Sequence, residues 1–276
     1  MIVWKRHGLV FGAGTLCVLL NNGGVNRLWT LGVVLLAVGG AMRWSLTRRQ
    51  RPRGERPPVA LRVPVEGRWV ALNGPATKVP SHTHSHAQTY AIDLKYAGDA
   101  PEPPPFRNLW PPGRRPERHP SFGRPVLAPA DGVVVATASR MRDHLSRWSL
   151  PAFAFMYPEG FVRGLGWPCH VWGNHVLLDV GDGVVAGFAH LRRGSLRVAV
   201  GDRVRAGDHL ADCGNSGNSS EPHLHFQLMD GPDPATARGI PFTWTYRHDD
   251  GTRHTGVPPD TTFFTAAPTP SEPAPR

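Results

Sequence analysis

Cysteine is scarce. The 276 residues hold three, Cys17, Cys169 and Cys213, with none of the paired spacing that marks a zinc ribbon or a disulfide scaffold. Cys17 falls in an apolar run, which leaves either one Cys169–Cys213 bridge, if the domain is exported, or two reduced buried thiols. Acidic residues are almost missing from the first 56 positions, where nine of the 31 Lys and Arg face a single acid, Glu55, for a net of +8. The other 220 residues carry 22 bases and 20 acids. That near balance gives no surface for neutralising phosphates, so no nucleic-acid partner is expected. No apolar run reaches the ~18 residues of a confident membrane span, and there is no internal repeat.

Two shorter apolar runs are present, Gly8 to Leu20 and Leu28 to Met42, joined by the polar turn NNGGVNR. Lys5, Arg6 and His7 precede the first run, as in a signal peptide, but LLNN after it offers no small-x-small cleavage site. Trp29 and Trp44 are placed as interfacial anchors for the second run. Residues 1–46 therefore read as an uncleaved anchor of two short helices in a lipid bilayer. Positive charge lies outside both ends, at Lys5, Arg6, Arg43, Arg48, Arg49, Arg51 and Arg53, against only Arg27 in the turn. By the positive-inside rule this distribution favours a cytoplasmic location for the rest of the chain. Residues 47–64 are Arg- and Pro-rich and read as a tether, while 260–276 read as a disordered Pro/Thr/Ala tail.

Between them, residues 65–259 show short runs with β character, at 68–72, 90–94, 132–137, 175–180 and 183–191, bounded by Gly, Pro and Asp. Asp-Gly pairs at 131–132 and 182–183 sit where hairpins would reverse. The fold class expected is all-β, mainly antiparallel. A Pro-rich stretch at about 97–120 and a segment at about 139–166, with a helical piece before Pro151, read as insertions of the kind that shape sites on rigid sheets.

The segment GNSGNSSEPHLHFQL, 214–228, carries the sharpest chemistry. On a strand, His223, His225 and Gln227 share one face and Leu224, Phe226 and Leu228 the other, with the two imidazoles about 7 Å apart. That separation suits one metal ligand beside one acid/base better than two ligands on one ion. The strand-like FAHL ends on His190 and Leu191, and YAID delivers Asp93, a hard-oxygen ligand of the kind zinc accepts beside imidazoles. Just upstream, PSHTHSHAQTYAIDL places His82, His84 and His86 at alternate positions.

These blocks, in order with PVLAPADGVV at 125–134, GNHVLLD at 173–179 and VGDRVRAGDHL at 200–210, resemble the lysostaphin and LytM-type zinc metalloendopeptidases of bacterial cell walls. The resemblance runs from about Trp69 to Leu228. It implies a duplicated-hybrid-motif, LytM-like β core and one Zn2+ per domain, held by Asp93, His225 and a histidine of the 82–86 tract. The family's usual first histidine stands four residues before the aspartate, which is Thr89 here. A longer SerHis…TyrAlaxAsp pattern, also found in the family, matches Ser81 and His82. His82 is thus the first choice, with His86 and His84 as alternatives. His190 and His223 then stand as unligated catalytic imidazoles, moving protons or stabilising an oxyanion.

The resemblance implies peptidoglycan peptides as substrate and a domain on the cell-wall side of the membrane, against the charge rule. An inactive relative that binds cell wall or regulates another hydrolase is the alternative in another class. A cytoplasmic metal-binding membrane protein is the reading that charge alone favours.

Overall fold

The computed structural model describes residues 6–98, 109, 113–147, 149–165 and 168–266. The chain opens with α1 (His7–Leu19) and α2 (Arg27–Arg49), continues through β1 (Val59–Leu61), β2 (Arg68–Leu72), β3 (Ile92–Tyr96), β4 (Pro125–Leu127) and β5 (Gly132–Ala138), and then forms α3 (Leu150–Leu165) and α4 (Pro168–Trp172). There follow β6 (Asn174–Asp179), β7 (Val185–Leu191), β8 (Arg203–Val204), β9 (His209–Asp212), β10 (Leu224–Met229), β11 (Gly239–Ile240), β12 (Phe242–His248), β13 (Arg253–Gly256) and β14 (Phe263–Ala266).

The expected β core is present. Ten strands run β1-β12-β14-β2-β3-β10-β7-β6-β5-β8, with β11 on β10 and β13 on β12, and β4 pairs β9 in a small second sheet. Pairing is antiparallel except for β1 on β12. Period-2 alternation decides what the sheet buries. Ile92, Leu94, Leu224, Phe226, Val176 and Leu178 all enter the main core, which Val126, Leu210 and Ala211 of the small sheet help to cover. At its centre the Phe226 ring lies 5.5 Å from Phe188, 5.2 Å from Phe242 and 5.4 Å from Trp244, centroid to centroid.

Helices α1 and α2 form a close hairpin. A Cβ at Gly14 would meet Gly32 O and Leu36 N at 2.8 Å, so glycine is what lets the two backbones touch. Among the described residues α2 is the one helix long and apolar enough to cross a membrane; α1 is shorter.

Four expectations differ from the structure. The stretch 47–64 is not a free tether. Helix α2 runs through Arg49, and Gln50 beyond it is buried, its amide donating to Pro234 O (2.8 Å) and Ala237 O (3.0 Å). Arg238 Nε donates to Arg49 O at 2.9 Å, and Val59–Leu61 add to the sheet. Backbone hydrogen bonding orders this stretch, and composition does not report it. Likewise the expected disordered tail contributes β14, inserted between β12 and β2 with Phe264 fully buried; residues 267–276 lie outside the described residues.

The helical piece of the 139–166 insertion follows Pro151 rather than preceding it. Pro151 is the second residue of α3, in the first turn, where its missing N–H costs nothing. The Asp-Gly pair at 131–132 does not reverse a hairpin: β4 pairs β9, and Asp131 instead accepts from Ala206 N at 2.8 Å. The pair at 182–183 does reverse the chain between β6 and β7. Most of the 97–120 insertion lies outside the described residues. Cys213 is a free, buried thiol, and the Cys169 side chain lies outside the described residues.

Truncating Phe226 removes a ring that three other aromatic rings surround. Phe226→Ala is expected to cost about 3–5 kcal/mol, read as a lowered urea midpoint for the full chain at unchanged slope.

Candidate metal centre

Asp93 on β3 lies opposite His225 on β10, and His225 lies opposite Ala189 on β7. Their neighbours in sequence face the main core, so Asp93 and His225 project together from the other face of the central strands. His82 reaches them from the loop before a 3-10 turn at Ser85–Tyr90. Its Nε2 is 3.0 Å from Asp93 Oδ2, and its ring lies edge-on to His225 with centroids 4.9 Å apart. His225 Nδ1 is 2.9 Å from Asp93 Oδ1, and His223 Nε2 is 3.5 Å from the same oxygen.

Two sets of potential ligand atoms lie within 4.8 Å of one another: His82, Asp93 and His225, and His190, His223 and His225. The tract's other histidines are not brought to Asp93. His84 Nδ1 is 3.1 Å from Thr89 Oγ1. His86 turns its ring to Ser85 Oγ, and burial, aided by the Arg43 charge, pushes its pKa down to about 4.

His190 arrives by a route that alternation does not predict. Val184, Ala186 and Phe188 face the main core, and Val185 and Ala189 the opposite side. His190 should therefore point into the core. It instead adopts φ 61°, and β7 carries an extra residue against β6 between the pairs Phe188↔Val176 and Leu191↔Asn174. This bulge swings the imidazole onto the face of His225, centroids 5.6 Å apart, and returns Leu191 to the core. The 7 Å estimate for His223 and His225 also misleads, because His223 lies just before β10 and its ring nitrogen converges with those of His190 and His225.

The outward-facing nitrogen of each ring is already engaged. His190 Nδ1 donates to Ser216 O at 2.8 Å and His223 Nδ1 to Glu221 O at 2.7 Å. Ser81 Oγ, which points its own proton at Gln88 O and Thr89 O, accepts from His82 Nδ1 at 3.3 Å. His225 Nε2 donates to Gln227 Oε1 at 3.0 Å; the orientation of that amide is set by its NH2, which donates to His86 O at 3.0 Å. With the outer nitrogen protonated, a ring in its neutral form turns a bare lone pair inward, and in its charged form it turns a proton toward Asp93.

The carboxylate among them is ionised. Burial would raise the Asp93 pKa, but the charges of His82 and His223 and the hydrogen bonds from His223 and His225 hold it well below the usual carboxylate range. Asn73 Nδ2 donates to its Oδ2 at 2.9 Å. Burial pushes His225 and His190 down, toward the neutral ring, whereas for His223 the Asp93 charge outweighs burial and raises the pKa. A neutral His225 has one proton for two acceptors, Asp93 and Gln227. With that proton on Nε2, a lone pair faces an anionic oxygen at 2.9 Å, an arrangement that a cation between them stabilises. Two imidazole nitrogens and a carboxylate oxygen are a borderline-soft donor set of the kind zinc takes.

A second ion cluster, not foreseen from sequence, fixes His223. Lys95 and His119 both pair with Glu221, the latter at 3.2 Å, and the Glu221 carbonyl holds the His223 ring. Burial would raise the Glu221 pKa, but the His119 hydrogen bond and the Lys95 charge bring it down to about 2.

Residues 157–236, which include His190, His223 and His225, match the model of Peptidase family M23. Over 72 residues the chain is 40% identical to the glycyl-glycine endopeptidase ALE-1 of Staphylococcus capitis, covering 26% of this chain and 19% of that protein. It is 39% identical to lysostaphin of Staphylococcus simulans over 72 residues, 26% of this chain and 14% of that one. It is also 34% identical to the cell division protein DipM of Caulobacter vibrioides over 74 residues, 27% and 12%. The matched region thus spans a fifth or less of each of these relatives. Among solved structures, the lysostaphin catalytic domain aligns with 63% of this chain and 88% of its own at 21% identity and a TM-score of 0.33.

The depressed Glu221 pKa is a stability statement with a defined sign. A carboxyl whose folded pKa lies below its ordinary 4.5 stabilises the fold above that pH, and the contribution disappears as pH falls toward about 2. Thermal unfolding of wild type and Glu221→Gln should differ at pH 7 by on the order of 3 kcal/mol, and the two curves should converge below pH 3.

Proposed function

We propose that this chain, which carries a Peptidase M23 domain, is a membrane-anchored zinc metalloendopeptidase that hydrolyses peptide bonds in peptidoglycan cross-links or stem peptides. The observation that supports this most directly is the convergence of His82, Asp93 and His225 on one buried point, with His190 and His223 beside it and every other ring nitrogen engaged.

His82 Nε2, Asp93 and His225 Nδ1 would hold the ion. Bound zinc polarises the scissile carbonyl and lowers the pKa of water to near ~7. His223 is suited to proton transfer: its Nδ1 proton is fixed on the Glu221 carbonyl, its Nε2 faces the site, and the neighbouring Asp93 favours its protonated form. It takes the proton of the attacking water and returns it to the leaving amine. His190 is kept neutral by burial and by the charge of His223, and with its one proton on Nδ1 toward Ser216 O its Nε2 can accept from the water and orient it. The presence of all five of these side chains favours the enzyme over an inactive cell-wall-binding role.

The α1–α2 hairpin would fix the domain to the bilayer. Action on peptidoglycan requires the domain on the cell-wall side, despite the arginines that flank α2. A compartment reporter fused after Arg276 should therefore report an extracytoplasmic terminus; a cytoplasmic signal would exclude direct action on the wall.

Metal content and digestion of cross-linked muropeptides test the chemistry together. Wild type should contain one zinc per chain and cut. His225→Ala should lose the metal and all activity, whereas His223→Ala should keep zinc and lose about 10²–10⁴-fold in kcat. Activity retained by His225→Ala, or a wild type that cuts without zinc, would sink the proposal. Gln227→Leu removes the acceptor that fixes the His225 proton, and zinc affinity by chelator competition should fall about 10–100-fold.

A further inference from the structure

Helix α3 has an apolar surface that the domain does not cover. Leu150, Phe153, Phe155, Tyr157, Phe161 and Val162 are all exposed, Phe155, Tyr157 and Val162 by 63–66%. Its only charged residues are Glu159 and Arg163. Both are turned inward: Glu159 pairs with Arg147 and with Arg163, and Arg163 also donates to His170 O at 3.2 Å. A helix that withdraws its charges and presents three Phe, a Tyr, a Leu and a Val is not built to face water, because exposed apolar area of this extent marks a contact surface.

Its neighbours identify the contact. Phe161 packs edge-on against Phe11 of α1 with centroids 5.5 Å apart, and Arg43 of α2 donates through Nη1 to Gly164 O at 2.7 Å. Directly after Arg43, Trp44 is 61% exposed, with the Arg48 guanidinium 4.4 Å from its ring centroid. A Trp and Arg pair of this kind marks the level at which an apolar helix leaves the hydrocarbon for the headgroups. The C-terminal end of α3 is therefore bonded to α2 at that level, and its aromatic surface continues the apolar surface of the hairpin. Helix α1, with 13 residues, extends only about 20 Å, less than the ~30 Å of a bilayer core. A shallow hairpin gains from additional apolar area at its base.

We propose that α3 is an interfacial membrane helix. Its exposed aromatic face is buried at the headgroup–acyl boundary of the same lipid leaflet that the hairpin enters, so the domain lies against the bilayer rather than hanging from it. The proposal rests on the membrane-anchored reading above but adds a second, separate lipid contact. It also sets the height of the catalytic site. On the inner side of α3, a Cβ at Gly160 would lie 3.1 Å from the Asn218 amide, two residues from the Ser216 carbonyl that holds His190. The site then works on peptide chains lying at the membrane surface.

The test uses the full chain in liposomes of phosphatidylglycerol and phosphatidylethanolamine containing a diazirine-bearing lipid, with photolabelled tryptic peptides mapped by mass spectrometry. The expected result is labelling of peptide 148–163 comparable with that of the 28–43 peptide of α2 and several-fold above that of peptides from β12 and β13. The paired substitution F155D/V162D should reduce labelling of 148–163 several-fold while leaving the hairpin labelled. Labelling of the hairpin with none on 148–163 overturns the proposal while sparing the anchor. So does protection of 148–163 from labelling by added soluble muropeptide, which would make α3 a wall of the substrate groove. Absence of label from both segments overturns the anchor reading itself, and the proposal with it.

Discussion

An ionised carboxylate buried among four imidazoles is the constraint around which the rest of this molecule is arranged. Asp93 loses water on entering the sheet, and an unpaired buried charge costs several kcal/mol. The structure offsets that cost locally, through Asn73 and through rings whose charge or protons face the carboxylate. It does not provide enough protons for every lone pair that converges there. A cation held there would offset that surplus of lone pairs, so the electrostatics and the donor set point the same way.

Holding those lone pairs inward requires an acceptor behind each ring, and the acceptors come from distant parts of the chain. Ser216 and Glu221 serve His190 and His223 through backbone carbonyls, and Ser81 serves His82. The path behind His225 is the longest. Gln227 accepts from His225, the His86 carbonyl accepts from Gln227, and the His86 N–H donates to Gln50 Oε1 at 3.2 Å. Gln50 caps α2, so the orientation of an imidazole in the site is linked by hydrogen bonds to the end of the α1–α2 hairpin. His86, which sequence offered as an alternative ligand, works through its backbone instead, with φ 57° allowing both of its peptide groups to be used.

The sheet was legible in the sequence because alternation is a local property: residues at i and i+2 share a face whatever else the chain does. It identified the strand that carries His225 and the apolar backing of Phe226, and it put Asp93 at a strand that ends beside it. It could not give the bulge at His190, since an extra residue in β7 is defined only against β6. The choice among His82, His84 and His86 was equally closed to pattern reading, because all three have the same chemistry and differ in what Thr89, Ser85 and Asp93 present to them. Where sequence reading failed outright, at 47–64 and at β14, the order comes from main-chain pairing and a few buried side chains. Composition measures apolar content and is silent about both.

The misread linker matters most for function. A free stretch of the 18 residues at 47–64 would allow the domain to wander by about 20–25 Å in root-mean-square reach. Docking replaces this freedom with a fixed pose, through Gln50, Arg49 and β1. The entropy of the linker has already been spent in folding, so binding a substrate does not pay it again. The same rigidity fixes the height and angle at which the Asp93 site is presented.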